Sequence, residues 1–165
     1  MKLLYLLRHA KSSWDDPALA DRDRPLAPRG VRAARQLAKH ARREGIAPDV
    51  VLCSPALRAR RTLELVEPGL GGQPDVLVAE ELYGASAEDL LDRLRRLPDA
   101  VGSAMLVGHN PGLQELALTL APSAEQLRDS LPTGALATIS VADETWSQLQ
   151  PGHAELLSLV VPRDL

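Results

Sequence analysis

Four short apolar runs, at residues 2–7, 49–53, 75–79 and 103–107, constrain this chain more than any other feature of its sequence. Runs this brief, bounded by turn residues, are strands rather than helices. Helical signals stand between them. Val31, Ala34, Leu37, Ala38 and Ala41 recur at helical spacing from Arg29 to Glu44, with Gly45 as the stop. Ser54-Pro55 opens a predicted helix to about Glu67, with Ser54 as cap and Pro55 in the first helical position. Ser86 opens another to about Leu97, with Asp89 completing a capping box, and Asn110-Pro111 a third to about Leu120. Strands joined through helices lie parallel, so the class is α/β with a largely parallel sheet. Three further strands are expected near 135–141, 145–150 and 155–161, the last two paired as a terminal hairpin around Pro151-Gly152.

The 165 residues fit one domain, 1–165, with no repeat, linker or low-complexity tract. Hydrophobic residues make up 45% but aromatics only 2%, so the core is expected to be Leu, Val and Ala. The formal net charge of −3 argues against a nucleic-acid binder. A single cysteine, Cys53, forbids an internal disulfide and suits a reducing compartment. No apolar run approaches the roughly 20 residues of a membrane span. The apolar start, MKLLYLL, meets Arg8 and His9 too soon for a secretory signal. The expectation is a soluble cytoplasmic protein without membrane or nucleic-acid partners.

In open α/β sheets, ligands bind beyond the carboxyl ends of the strands. The first strand ends in Arg8-His9. The second ends in Ser54-Pro55, with Arg58 in the first turn of the next helix. The fourth ends in Gly108-His109-Asn110-Pro111. Two imidazoles, two guanidiniums and two helix N-termini should crowd one rim, which calls for a dianion such as phosphate. Arg8 and Arg58 would clamp it bidentately. Neighbouring cations would keep His9 unprotonated as a nucleophile, with a backbone carbonyl on its other ring nitrogen fixing the tautomer. His109 would donate to a phosphoryl oxygen in the transition state.

The segments LLRHAKSSW, SPALRARRT and GHNP, in that order and at strand ends, resemble the signature motifs of the histidine phosphatase superfamily. DRDRPLAPRG, at 21–30, is similar to the segment before that family's first helix. The short connection between the third strand and Ser86 resembles the SixA-type phosphohistidine phosphatases. The resemblance implies a three-layer α/β/α, phosphoglycerate mutase-like fold and a two-step reaction: His9 attacks phosphorus, a phosphohistidine forms, and water hydrolyses it. It implies Arg8, Arg58 and His109 as the phosphate pocket, Arg24 as a further contact, and neither metal nor cofactor. Ala10 stands where the family usually has Gly. A carboxylate proton donor is implied in many members. Glu81 is the candidate, with Glu80 and Asp21 as alternatives. The partner would be a protein carrying phosphohistidine or a small phosphorylated metabolite. A non-catalytic phosphate-binding module is the reading of a different class, disfavoured by the intact His9.

Other features read as structural. Arg58 follows Cys53 after four residues, not the five of a cysteine phosphatase loop, so Cys53 is expected to be buried and inert. His40 and His153 carry no motif. Trp14 either lines a substrate mouth or anchors the long loop of residues 10–28. Thr133-Gly134 are expected to approach the rim.

Overall fold

The computed structural model describes residues 1–165. Its strands are β1 (Lys2–Arg8), β2 (Val50–Cys53), β3 (Asp75–Val78), β4 (Ser103–Gly108), β5 (Leu136–Val141) and β6 (Ala154–Val160). They form one sheet in the order β3-β2-β4-β1-β5-β6. The first four of these are mutually parallel, β5 pairs antiparallel with β1, and β6 pairs antiparallel with β5, so β5 alone runs against the rest. The helices are α1 (Pro28–Glu44), α2 (Leu57–Val66), α3 (Ala87–Arg95), α4 (Gly112–Leu120) and the single turn α5 (Gln126–Asp129).

Successive strand residues face opposite sides, and the core divides accordingly. Leu4, Leu6, Val50, Leu52, Ala104 and Leu106 point to the face covered by α3 and α4. Tyr5, Leu7, Val51, Cys53, Met105 and Val107 point to the face covered by α1 and α2. The result is a three-layer α/β/α sandwich of the phosphoglycerate mutase-like kind, with a core dominated by Leu, Val and Ala. No helix is long and apolar enough to cross a membrane.

Neighbouring strands β1 and β4 send their chains to helices on opposite faces of the sheet. This is the switch point at which an open α/β sheet leaves a crevice beyond its strand ends. Arg8-His9 and His109 leave the sheet there.

Three local expectations are corrected. Residues 145–150 are not a strand. Trp146–Gln148 form a 3-10 turn, and Trp146 is fully buried, its indole N–H donating to the Val101 carbonyl at 2.8 Å. A large ring with one polar handle is placed here as a plug, so β6 pairs with β5. The second helix starts at Leu57, and Ser54 does not cap it. The fourth starts at Gly112, while Asn110 Oδ1 accepts the Gln114 N–H at 3.3 Å. In both cases a short bend or turn separates the strand end from the helix.

Candidate active site

His9 follows the last residue of β1, and its N–H donates to the Gly108 carbonyl of β4 at 3.0 Å. Its side chain is buried, 7% exposed. Its Nδ1 lies 2.8 Å from the Ala10 carbonyl, a pure acceptor, so Nδ1 carries the proton and Nε2 keeps its lone pair. Burial above all, then the charge of His109, Arg58 and Arg8, lowers its pKa to about 3.

Thr62 of α2 ties this residue to Arg58. Its buried hydroxyl accepts the Ala10 N–H at 2.9 Å and donates to the Arg58 carbonyl at 2.7 Å. The nucleophile loop and the arginine-bearing turn are thereby held together. Arg58 is buried, and its guanidinium reaches the Asp21 backbone carbonyl (2.8 Å) and carboxylate (3.1 Å).

His109 follows β4, with its ring centroid 5.2 Å from that of His9. Ser54, at the end of neighbouring β2, places its Oγ 2.7 Å from His109 Nε2. The same Oγ accepts the Ala56 N–H at 3.3 Å, which leaves it one lone pair and one proton for Nε2. The tautomer that accepts the Ser54 proton at Nε2 carries its own proton on Nδ1, a buried atom without a partner. Arg8 Nε is likewise buried and unpartnered, while its Nη1 donates to the Leu131 carbonyl at 3.0 Å. Buried polar atoms without partners are rare and call for an explanation. Two N–H donors orphaned beside one imidazole suit an anionic oxygen. His109, too, is held neutral, its pKa lowered to about 4 by burial and by Arg58.

Asp21 lies on a 3-10 turn, Asp21–Asp23, within the long loop. Its carboxylate accepts from Arg58, from Arg24 (3.0 Å) and from the Tyr83 hydroxyl. The Tyr83 bond, followed by the two arginines, lowers its pKa to about 2. Arg24 is buried and also donates to Ser13 O (3.2 Å) and Ser12 Oγ, with the exposed Trp14 ring 3.2 Å from its guanidinium carbon. The structure thus brings Arg8, His9, Arg58 and His109 together, with Arg24 joined to them through Asp21. Glu81 is placed differently. It pairs with Arg93 (3.3 Å) and Arg96 (3.9 Å) along α3, and Glu80 pairs with Arg22 (2.9 Å).

Thr133-Gly134 do approach the rim. The Gly134 N–H reaches the Arg8 and His9 carbonyls at 3.1 and 2.9 Å, and its φ of +76° suits glycine. Cys53 is fully buried, which pushes its thiol up to about 12. No group of three or more His, Cys, Asp or Glu side chains is placed to hold a metal ion.

Thr62 and Tyr83 were given no role from the sequence, and Ser54 only that of a strand-end helix cap. Thr62 did leave a signal, standing four residues after Arg58 on a helix, the spacing at which a threonine hydroxyl reaches a preceding carbonyl. Ser54 and Tyr83 left none, because their partners come from other strands and loops.

A buried neutral imidazole flanked by two guanidiniums and an orphaned N–H donor is a site for phosphoryl transfer. The chain belongs to the histidine phosphatase superfamily: residues 4–89 match the model of its branch 1. An uncharacterized Mycobacterium tuberculosis protein is 39% identical over 164 residues, spanning 95% of this chain and 100% of that one. A structure from Agrobacterium tumefaciens, provisionally named as the phosphohistidine phosphatase SixA, superposes with a TM-score of 0.84 at 29% identity, covering 98% of both chains. A protein histidine phosphatase SixA complexed with tungstate gives 0.82 at 25% identity, again over 98% of each.

Proposed function

We propose that this protein is a phosphatase that takes a phosphoryl group onto Nε2 of His9 and passes it to water, and that its substrate is phosphohistidine on a protein. The observation that carries the reading is the bond from His9 Nδ1 to the Ala10 carbonyl. It leaves Nε2 uncharged, in a ring whose centroid is 5.2 Å from that of His109, while Arg8 Nε and His109 Nδ1 are buried without partners.

In the first step the Nε2 lone pair forms a bond to phosphorus while the bond to the substrate nitrogen breaks. The positive charge that develops on His9 is shared with Nδ1–H, which the Ala10 carbonyl already holds. Arg8, Arg58 and His109 Nδ1–H bind the phosphoryl oxygens as charge builds on them. Arg58 must first exchange its Asp21 carboxylate for the phosphoryl group. Arg24 holds Asp21 and so acts on the phosphate pocket through it. In the second step water adds to phosphorus, orthophosphate leaves and neutral His9 is restored. Overall the substrate imidazole, already protonated on its other nitrogen, leaves as a neutral molecule, and both parts of one water, hydroxyl and proton, go to orthophosphate.

The carboxylates support phosphohistidine in particular. Asp21 is held ionised by Tyr83 and two arginines, while Glu80 and Glu81 are paired with arginines. None stands ready as an acid. An alkoxide leaving group needs one, whereas a protonated imidazole departs as a neutral molecule without it. We accordingly give Glu81 no part in the chemistry. Only residues 79–86 separate β3 from α3, which leaves the rim without an inserted cover, and two structural relatives bear the phosphohistidine phosphatase name.

Rapid quenching after mixing with a labelled phosphoryl donor tests the first step. An acid-labile, base-stable phosphoenzyme is expected, and it disappears in His9→Ala. Turnover of a phosphohistidine protein is expected to exceed that of a panel of sugar and nucleotide phosphates. The reverse order would reassign the enzyme to small metabolites, and binding without turnover of any of them would make it a recognition module.

A further inference from the structure

Beside the nucleophile, on the same rim, lies a second concave site that phosphoryl transfer does not use. It is a hollow of about 430 Å³ formed by the loop after β1, one face of α1, residues 132–133 and the C-terminal turn. Its polar lining is Lys11, Arg29, Arg32, Gln36, Thr133 and Arg163, with no acidic residue among the lining side chains. Arg29, Arg32 and Gln36 recur at helical spacing and so share one face of α1.

Three observations set these cations apart. The first is that none of the four is satisfied within the chain. Eleven of the sixteen arginines bond a carbonyl, hydroxyl or carboxylate, but Arg29, Arg32 and Arg163 do not, and neither does Lys11. Two acids stand in the next hollow, Asp129 and Asp164, which share its lining with Arg163. The second is that Arg29 occupies the first turn of α1, which holds no acid. A cation there opposes the helix dipole, a cost that nothing inside the chain offsets. The third is position. Lys11 is two residues past His9, no more than about 7.6 Å between Cα atoms. Thr133 precedes Gly134, whose N–H holds the Arg8 and His9 carbonyls. A ligand in the hollow therefore flanks whatever His9 attacks.

We propose that this hollow docks an acidic segment of the phosphorylated protein, next to its phosphohistidine. The proposal rests on the phosphohistidine-protein reading above. Four unpaired cations on a chain of net charge −3 form a local field opposite in sign to the whole. The hollow is far larger than one phosphate needs and open along the rim, which fits a run of carboxylates on an extended or helical segment. Complementary charge of this kind selects partners and speeds their encounter.

The test uses two synthetic phosphohistidine peptides of equal length, one flanked by glutamates and the other by glutamines. At low salt the wild-type protein is expected to favour the glutamate peptide by about tenfold in kcat/KM. The preference should fall to near one in Arg29→Glu/Arg32→Glu/Arg163→Glu and in about 0.5 M salt, with turnover of the glutamine peptide unchanged. The neutral variant Arg29→Gln/Arg32→Gln should lie between. No preference in the wild type, a preference that survives charge reversal, or equal losses on both peptides in both variants would overturn the proposal. Should neither peptide be turned over while phosphate esters are, the phosphohistidine reading fails on its own. Docking is then decided by binding of the unphosphorylated peptides to His9→Ala, with the same preference expected and the same loss on charge reversal. A single-stranded oligonucleotide that displaces the glutamate peptide at equal or lower concentration would give the hollow to nucleic acid instead.

Discussion

Asp21 holds Arg58 by two oxygens at once, its backbone carbonyl at 2.8 Å and its carboxylate at 3.1 Å. The carboxylate occupies the guanidinium that a phosphoryl group would claim. It is about half exposed, so its hold is weaker than that of a buried pair.

The first prediction concerns that competition. Asp21→Asn keeps the shape but removes the charge that competes with an incoming anion. Orthophosphate and tungstate should inhibit the variant more strongly, by about threefold to tenfold. Weaker inhibition would mean that Asp21 organises the pocket instead of competing for it.

A second prediction separates orientation from binding. A Ser54 proton given to His109 Nε2 keeps the ring's own proton on Nδ1. In Ser54→Ala the His109 ring is free to adopt the other tautomer. The expected result is a fall in kcat of about tenfold with little change in KM, near 1.4 kcal/mol of transition-state stabilisation. An unchanged kcat would show that His109 finds its tautomer without Ser54.

Thr62 offers a test of the scaffold. Thr62→Val is nearly isosteric, but it strands the buried Ala10 N–H, a loss of about 1–3 kcal/mol. For a chain of this size each kcal/mol lowers Tm by about 2–4 °C. Activity should fall together with stability, because Ala10 supplies the carbonyl that fixes His9. Thermal unfolding and steady-state rates of the same variant check both.

The fourth prediction is a pH dependence. His9 and His109 are held neutral, with pKa values of about 3 and 4, whereas in the unfolded chain both titrate near 6.5. Between those values the unfolded chain binds protons that the native state refuses. Stability therefore falls as pH drops below about 6.5 and is insensitive to these two groups above it. Asp21 adds loss of the same sign below its ordinary carboxylate range, as pH falls toward 2. Between pH 6.5 and 5 the wild-type Tm should decline, and His9→Gln/His109→Gln should flatten the decline. Over the same window the NMR signals of both rings should show no titration.

The strands, their parallel pairing and the rim were legible because short apolar runs and strand-end polar residues are local signals. Arg8, His9, Arg58 and His109 were legible for the same reason, each standing at a strand end or in a helix's first turn. Glu81 was misleading because a carboxylate after a strand has no local mark of where it points. Its partners, Arg93 and Arg96, lie a helix away. The strand expected at 145–150 failed because Trp146 is buried in a 3-10 turn instead of pairing along a sheet.

By itself the sequence determined the layers of the fold and the four residues that converge at the rim, since hydrophobic period and chain reversal depend on neighbours along the chain. Only the tertiary structure decided what each imidazole nitrogen meets, what restrains Arg58 and where unpaired cations gather. Those properties arise from side chains contributed by separate elements, and the distances between them exist only once the sheet order has closed.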